Sequence, residues 1–235
     1  MKYLYSVYVW LIGGLLFFIL MIFSIVIFTF IPSRKFIPVF RNYLRMMFAL
    51  IFVRVTREFA EPIDFSKRYI YMPNHVSLLD APICAAYIPE FITALEAAEH
   101  FKWPFYGRLT RLYGNIPIQR RSIHQSLQSF EVAKDTIINK NSMVIFPEGS
   151  RTTDGTIGRF KKLPFQLAKK ANAAIIPVGM SGVHTLLKKH SLLFRPSNLK
   201  LKFGKIISAE VVASLTLEEL AEITKKEVEK LIDYN

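Results

Sequence analysis

The stretch Arg68-Tyr-Ile-Tyr-Met-Pro-Asn-His75-Val-Ser-Leu-Leu-Asp80 joins a short apolar run to a loop and then to an amphipathic segment. Residues 68–72 have the length and aromatic content of a buried strand, and residues 78–87 follow a helical pattern. The same order recurs along the chain, with strands predicted at 115–118, 142–146, 174–178 and 199–207 and helices at 105–112, 122–140, 161–172 and 216–232. This alternation predicts an α/β fold, a largely parallel sheet covered by helices.

The loop after the first of these strands places His75 five residues before Asp80. A neutral imidazole takes a proton from a hydroxyl near physiological pH, and a nearby carboxylate holds the useful tautomer and stabilises the imidazolium. Alone the pair is a weak signal, because five histidines give one such spacing by accident about one time in four. The chain lacks a Gly-x-Ser-x-Gly elbow, so the hydroxyl to be deprotonated could belong to a substrate rather than to Ser77 or another side chain.

Two later blocks each place an arginine after a short apolar run, at 114–120 and at 146–151. In open α/β sheets ligands bind where strands end, so these blocks and the His75 loop are expected to converge on one site. A guanidinium fork makes bidentate bonds to phosphate oxygens, which favours Arg120 and Arg151 as anion ligands, with Arg121 the alternative to Arg120.

Four blocks in this order resemble the motifs of the PlsC-type glycerolipid acyltransferases, the group that includes the 1-acylglycerol-3-phosphate acyltransferases. They are Asn74-His75-x4-Asp80, Gly114–Arg120, Phe146-Pro-Glu-Gly-Ser-Arg151 and Ile176-Pro-Val-Gly179, and the resemblance covers residues 65–210. It implies a His75 base oriented by Asp80, with direct attack of a lipid hydroxyl on acyl-CoA or acyl-carrier protein. No cofactor is implied beyond this donor substrate.

The acceptor-binding residues that follow from the resemblance are Arg120, Glu148, Gly149, Ser150 and Arg151. Gly149 permits a tight turn. Glu148 is expected either to order an arginine or the acceptor's hydroxyls, or to form a structural salt bridge.

The expected reaction is acylation of a lysophospholipid, most simply 1-acylglycerol-3-phosphate, to give phosphatidic acid. Glu96 and Ala97 stand where many relatives carry a lysine for the acceptor's phosphate. A different lysolipid, an acylated glycan or an amino-acid lipid is therefore an alternative acceptor. A non-catalytic membrane scaffold and a lipid hydrolase are the alternatives from other classes. The basic loop 159–162 could serve the donor or the membrane surface.

Residues 3–33 carry no Asp, Glu, Lys or Arg. A helix of that length covers about 45 Å, more than the roughly 30 Å of a bilayer core needs. A cleaved signal peptide is a poorer reading because no small-residue cleavage site follows, and a soluble core helix seldom stays apolar on every face. We expect residues 1–59 to be a membrane-anchoring helical segment and residues 60–235 to be the catalytic domain. A spanning helix and a re-entrant hairpin bent near Gly13 and Gly14 both fit.

Eight Lys and Arg residues lie between 34 and 68, against three acidic residues. The positive-inside rule then predicts a cytoplasmic catalytic domain. Residues 36–59 suit a helix in the headgroup region, or one packed on the domain. The net charge of +13 comes without a nucleic-acid-binding motif, so an anionic lipid membrane is the expected partner. The single Cys84 excludes an intrachain disulfide, and no Cys/His cluster indicates a zinc site.

Overall fold

The structure is a computed structural model that describes residues 2–119 and 123–233. These residues form a seven-stranded sheet with the strand order β1-β7-β6-β2-β5-β3-β4. The strands are β1 (Val55–Phe59), β2 (Tyr69–Pro73), β3 (Ile92–Ala97), β4 (Ile116–Ile118), β5 (Ser142–Val144), β6 (Ala174–Ser181) and β7 (Leu199–Phe203). Every neighbouring pair is parallel except β6 and β7. The predicted α/β class is confirmed.

The described helices are α1 (Lys2–Tyr8), α2 (Gly14–Phe30), α3 (Ser33–Leu50), α4 (Asp80–Tyr87), α5 (Tyr106–Tyr113), α6 (Ile123–Asn139), α7 (Lys162–Lys170), α8 (Val183–Leu186), α9 (Ala209–Ser214) and α10 (Leu217–Leu231). A π-helical turn at Val9–Gly13 joins α1 to α2, and a 3-10 turn lies at His100–Lys102.

Helices cover both faces of the sheet. One face, which includes Tyr71 and Val144, packs on the N-terminal helices and α4, whereas Ile70 and Met143 on the other face pack on α6, α7 and α10. A parallel strand that is buried on both faces has a continuous apolar sequence, and for this reason β2 could be predicted from the sequence.

Two strands, β1 and β3, are absent from the sequence prediction. β1 is an edge strand whose residues 56–59 are exposed, so it has no apolar pattern to detect. It pairs in parallel with β7, from Val55 opposite Leu199 to Phe59 opposite Phe203. The sheet therefore begins before residue 60, inside the segment that was assigned to the anchor.

The N-terminal helix continues through Gly13 and Gly14, which both have α-helical dihedrals, and does not bend back there. The continuous helix from Lys2 to Phe30 is long and apolar enough, by length and composition, to cross a membrane. Only 28% of its most apolar window is buried against the protein. α3 instead packs on the domain: its apolar stripe is buried and the helix contacts α4.

Candidate active site at the carboxyl edge of the sheet

Asn74 fixes the end of β2 to β6. Its side-chain amide donates to the carbonyl oxygen of Met180 over 3.2 Å, and its Oδ1 accepts from the Met180 N–H over 2.7 Å. This buried pair of bonds sets the direction in which the chain leaves the sheet, so His75 begins the loop at a defined point.

His75 and Asp80 meet as the sequence predicted. The His75 Nδ1 lies 2.7 Å from Asp80 Oδ2, and the same oxygen accepts from the backbone N–H groups of Val76 at 2.7 Å and Ser77 at 2.8 Å. Asp80 is fully buried at the start of α4, so these donors hold its carboxylate in one position. Since a carboxylate only accepts, Nδ1 carries the proton and Nε2 is left as the basic nitrogen.

The His75 ring also stacks on Phe146, with ring centroids 4.1 Å apart and planes at 21°. Its side chain is 22% exposed, which leaves part of the ring open to a substrate. Ser77 is buried, and its Oγ donates to the carbonyl oxygen of Leu187 over 2.8 Å rather than facing the cavity as a free hydroxyl. The arrangement provides a base that is oriented on one side and accessible on the other.

Glu148 accepts backbone N–H groups with both of its carboxylate oxygens. Its Oε1 accepts from the His75 N–H over 2.7 Å, and its Oε2 accepts from the Gly158 N–H over 2.9 Å. The residue is 4% exposed, and this burial raises the pKa of its carboxyl while the two N–H groups oppose the rise. The Thr152 N–H makes a second link to His75, by donating to its carbonyl oxygen over 3.0 Å. The block after β5 thus holds His75 by its backbone.

The same block turns sharply at Gly149, whose φ is +70°. A Cβ there would lie 2.9 Å from both Cε and Nζ of Lys161, so glycine lets the lysine pass close to the turn. Ser150 is exposed, and Arg151 is half-buried with its carbonyl oxygen bound by Lys189 Nζ at 2.8 Å. Arg120, the other predicted anion ligand, lies outside the described residues, as does Arg121.

A cavity of about 920 Å³ opens beside His75. Arg151 and Lys161 line one part of it, whereas most of the wall is apolar. Side chains from the N-terminal helix and α3 contribute to that wall, among them Trp10, Phe17, Met21, Met47 and Phe48. The contribution of residues from 1–59 to the cavity wall was not predicted from the sequence. Lys161 belongs to the basic loop 159–162, for which the sequence left the donor and the membrane surface as alternatives.

Comparisons with known proteins identify a family model and several proteins that this chain resembles. A family model described as Acyltransferase matches residues 52–181. The 1-acyl-sn-glycerol-3-phosphate acyltransferase of Cocos nucifera is 30% identical over 152 residues, which are 64% of this chain and 49% of that protein. The enzyme of the same name from Saccharomyces cerevisiae is 29% identical over 171 residues, 71% of this chain and 55% of that protein. The chain thus spans about half the length of these curated relatives.

A lyso-ornithine lipid O-acyltransferase of Pseudomonas aeruginosa is also similar, at 32% identity over 112 residues that make up 48% of this chain and 42% of that protein. Among solved structures, the 1-acyl-sn-glycerophosphate acyltransferase PlsC of Thermotoga maritima matches with a TM-score of 0.71. That match covers 98% of this chain and 95% of the other at 22% identity, and it shows that the two share a fold.

Proposed function

Because the chain belongs to the acyltransferase family, we propose that it transfers a fatty acyl group to the free hydroxyl of a lysophospholipid. The proposed acceptor is 1-acylglycerol-3-phosphate and the product is phosphatidic acid. The observation that carries the proposal is His75, which is oriented by the buried Asp80 and lines a large apolar cavity together with Arg151. The names of the relatives from Cocos nucifera and Saccharomyces cerevisiae support the choice of acceptor.

In the proposed reaction, His75 Nε2 removes the proton of the acceptor's hydroxyl as its oxygen attacks the thioester carbonyl. The new carbon–oxygen bond forms, the carbon–sulfur bond breaks, and the imidazolium returns its proton to the leaving thiolate. Products are an ester and a free thiol. Asp80 stabilises the imidazolium and keeps the tautomer with Nε2 free.

Different residues of the cavity wall suit different parts of the substrates. The apolar wall suits a fatty acyl chain, since burying each CH₂ group contributes about 0.8 kcal/mol. Arg151 and Lys161 suit an anionic phosphate, and Arg120 is proposed as a further ligand of the same phosphate. Acyl-CoA and acyl-carrier protein both present the acyl group as a thioester, and either serves this chemistry without a cofactor.

A lipid membrane is the proposed location of the reaction. The exposed apolar side chains of the first helix, among them Leu4, Leu11 and Phe18, lack a covering surface in the described protein. Basic residues after this helix would face an anionic cytoplasmic leaflet by the positive-inside rule.

A different lysolipid is the alternative acceptor. Ala97, which stands where many relatives carry a lysine, and the lyso-ornithine lipid O-acyltransferase among the relatives favour this alternative.

The test is product analysis with the full chain in mixed micelles. We would supply 1-acylglycerol-3-phosphate with acyl-CoA or acyl-carrier protein in separate reactions and identify phosphatidic acid by mass spectrometry. His75→Asn is expected to reduce turnover by about 10²–10⁴-fold. The matched control is His190→Asn at an exposed histidine with φ +62°, a conformation that asparagine tolerates.

Three results would overturn the proposal. Absence of phosphatidic acid with both donors would refute this acceptor. Release of free fatty acid at the same rate with and without the acceptor would identify a hydrolase, and inactivity of the folded protein toward every lysolipid would favour a scaffold.

A further inference from the structure

Glu96 lies at the end of β3 and forms the centre of a hydrogen-bond cluster on the cavity wall. Its Oε1 accepts from the Tyr106 hydroxyl at 2.8 Å and pairs with His100 Nδ1 at 2.9 Å. Its Oε2 accepts from Thr110 Oγ1 at 2.7 Å and from Asn115 Nδ2 at 3.1 Å. Four hydrogen-bond donors hold this carboxylate in one rotamer. The cluster therefore places a carboxylate at a fixed position on the cavity wall.

The Glu96 carboxylate lines the same cavity as His75. Phe146, whose ring stacks on that of His75, also lines this cavity. A substrate whose hydroxyl reaches His75 therefore occupies the cavity that Glu96 lines.

The His100 and Tyr106 side chains contact the carboxylate, and the Trp103 ring packs near both of them. The His100 and Trp103 rings have centroids 4.6 Å apart, and Trp103 lies 5.9 Å from Tyr106. Trp103 is 50% exposed, and all three residues line the same cavity as His75. A carboxylate beside aromatic faces is the environment that attracts an alkylammonium group. It repels a phosphate monoester that comes near it.

The same cavity is also lined by two basic side chains, Arg151 and Lys161. A headgroup that bears both an anion and an ammonium group matches both regions. We propose, on the basis of the acyl transfer proposed above, that Glu96, His100, Trp103 and Tyr106 form an ammonium subsite that admits lysolipids with a zwitterionic headgroup as a second acceptor class. Two lipid types supply this chemistry: phosphoethanolamine lysolipids and hydroxyl-bearing amino-acid lipids.

The experiment compares acceptors that differ in the ammonium group. The full chain in mixed micelles receives one acyl donor and, at equal mole fraction, lysophosphatidylglycerol, lysophosphatidylethanolamine, a lyso-ornithine lipid or lysophosphatidic acid. The first two are both phosphodiesters, and only the second carries an ammonium group. We expect kcat/KM for the ethanolamine lipid to exceed that for the glycerol lipid by about fivefold or more.

Glu96→Gln should lower that ratio about fivefold, to near one, and Trp103→Leu should lower it by a smaller factor. The ratio is the readout because a loss of folded enzyme lowers both rates equally. Glu99→Gln is the matched control, since Glu99 is exposed, three residues from Glu96 and absent from the cavity wall, and its ratio should not change.

A wild-type ratio near one would overturn the subsite, as would a Glu96→Gln variant that slows all acceptors equally, because the cluster would then be structural. Preference for the lyso-ornithine lipid over the ethanolamine lipid would assign the site to amino-acid lipids, and the reverse would assign it to phospholipids. Absence of transfer to every acceptor would instead refute the proposed acyl transfer. The two failures are therefore distinguishable.

Discussion

Replacing Glu148 with glutamine tests whether this residue positions the base or binds the acceptor. The wild-type carboxylate accepts the His75 and Gly158 N–H groups with separate oxygens. A glutamine has one oxygen, so its NH₂ group must face one of the two N–H donors. The variant therefore keeps the shape of the side chain and loses one buried hydrogen bond.

The size of the effect follows from these two bonds. A hydrogen bond to a charged group contributes about 1.5–3 kcal/mol, and relief of the buried charge offsets part of this loss. We expect Glu148→Gln to lower the free energy of unfolding by about 1–2 kcal/mol. Because the His75 backbone loses a tether, the imidazole should leave its productive position, where a displacement near 1 Å costs about 100-fold. We expect kcat to fall about 10–100-fold.

The assay separates kcat from KM. Steady-state kinetics with varied acceptor at saturating donor should show the fall in kcat with the acceptor KM within about twofold, since a positioning residue acts on the chemical step. Denaturant unfolding measures the stability change on the same samples. Glu131→Gln is the matched control, because Glu131 is an exposed glutamate whose partner is Lys134 on the same helix. Its stability should change by less than about 0.5 kcal/mol.

A rise in acceptor KM of tenfold or more at unchanged kcat would refute the reasoning. That result would mean that Glu148 contacts the acceptor directly, as the resemblance to known motifs implied. An unchanged kcat with reduced stability would show a structural tether without influence on the base.

Three other predictions address the base, the turn and a buried acid. Asp80→Asn should lower kcat by about 10²–10⁴-fold with an unchanged far-UV circular dichroism spectrum, and retention of a tenth of the wild-type rate would contradict the orienting role. Gly149→Ala should destabilise the protein by about 1–2 kcal/mol in denaturant unfolding, because its φ is +70°. Gly14→Ala is its control, since a Cβ there meets nothing within 4 Å and the residue is helical, so it should be neutral or stabilising. Burial raises the pKa of Glu90 above 4.5, against the hydrogen bonds that lower it. Its stabilising contribution is therefore full below that value and lost as pH rises through the raised pKa, and the Tm of Glu90→Gln relative to wild type should rise with pH over this window. A flat Tm difference would contradict that assignment.

The sequence determined the features that depend on neighbouring residues. Buried parallel strands are continuous apolar runs, so β2, β5 and β6 were predicted close to their bounds. The contact between His75 and Asp80 was also predicted from the sequence. The two residues are five positions apart, across a short loop that leads to the start of α4, and this spacing is short enough to bring their side chains together. The role of Arg120 stays a prediction.

Only the tertiary structure decided which donors the buried carboxylates meet. Glu148 accepts from His75, 73 residues away, and Glu96 accepts from Asn115, 19 residues away. The first helix forms cavity wall beside His75, and β1 joins the sheet through a strand near the other end of the chain. Such contacts leave no periodic signal, because hydrophobic patterns report which face of an element is buried and not which element covers it.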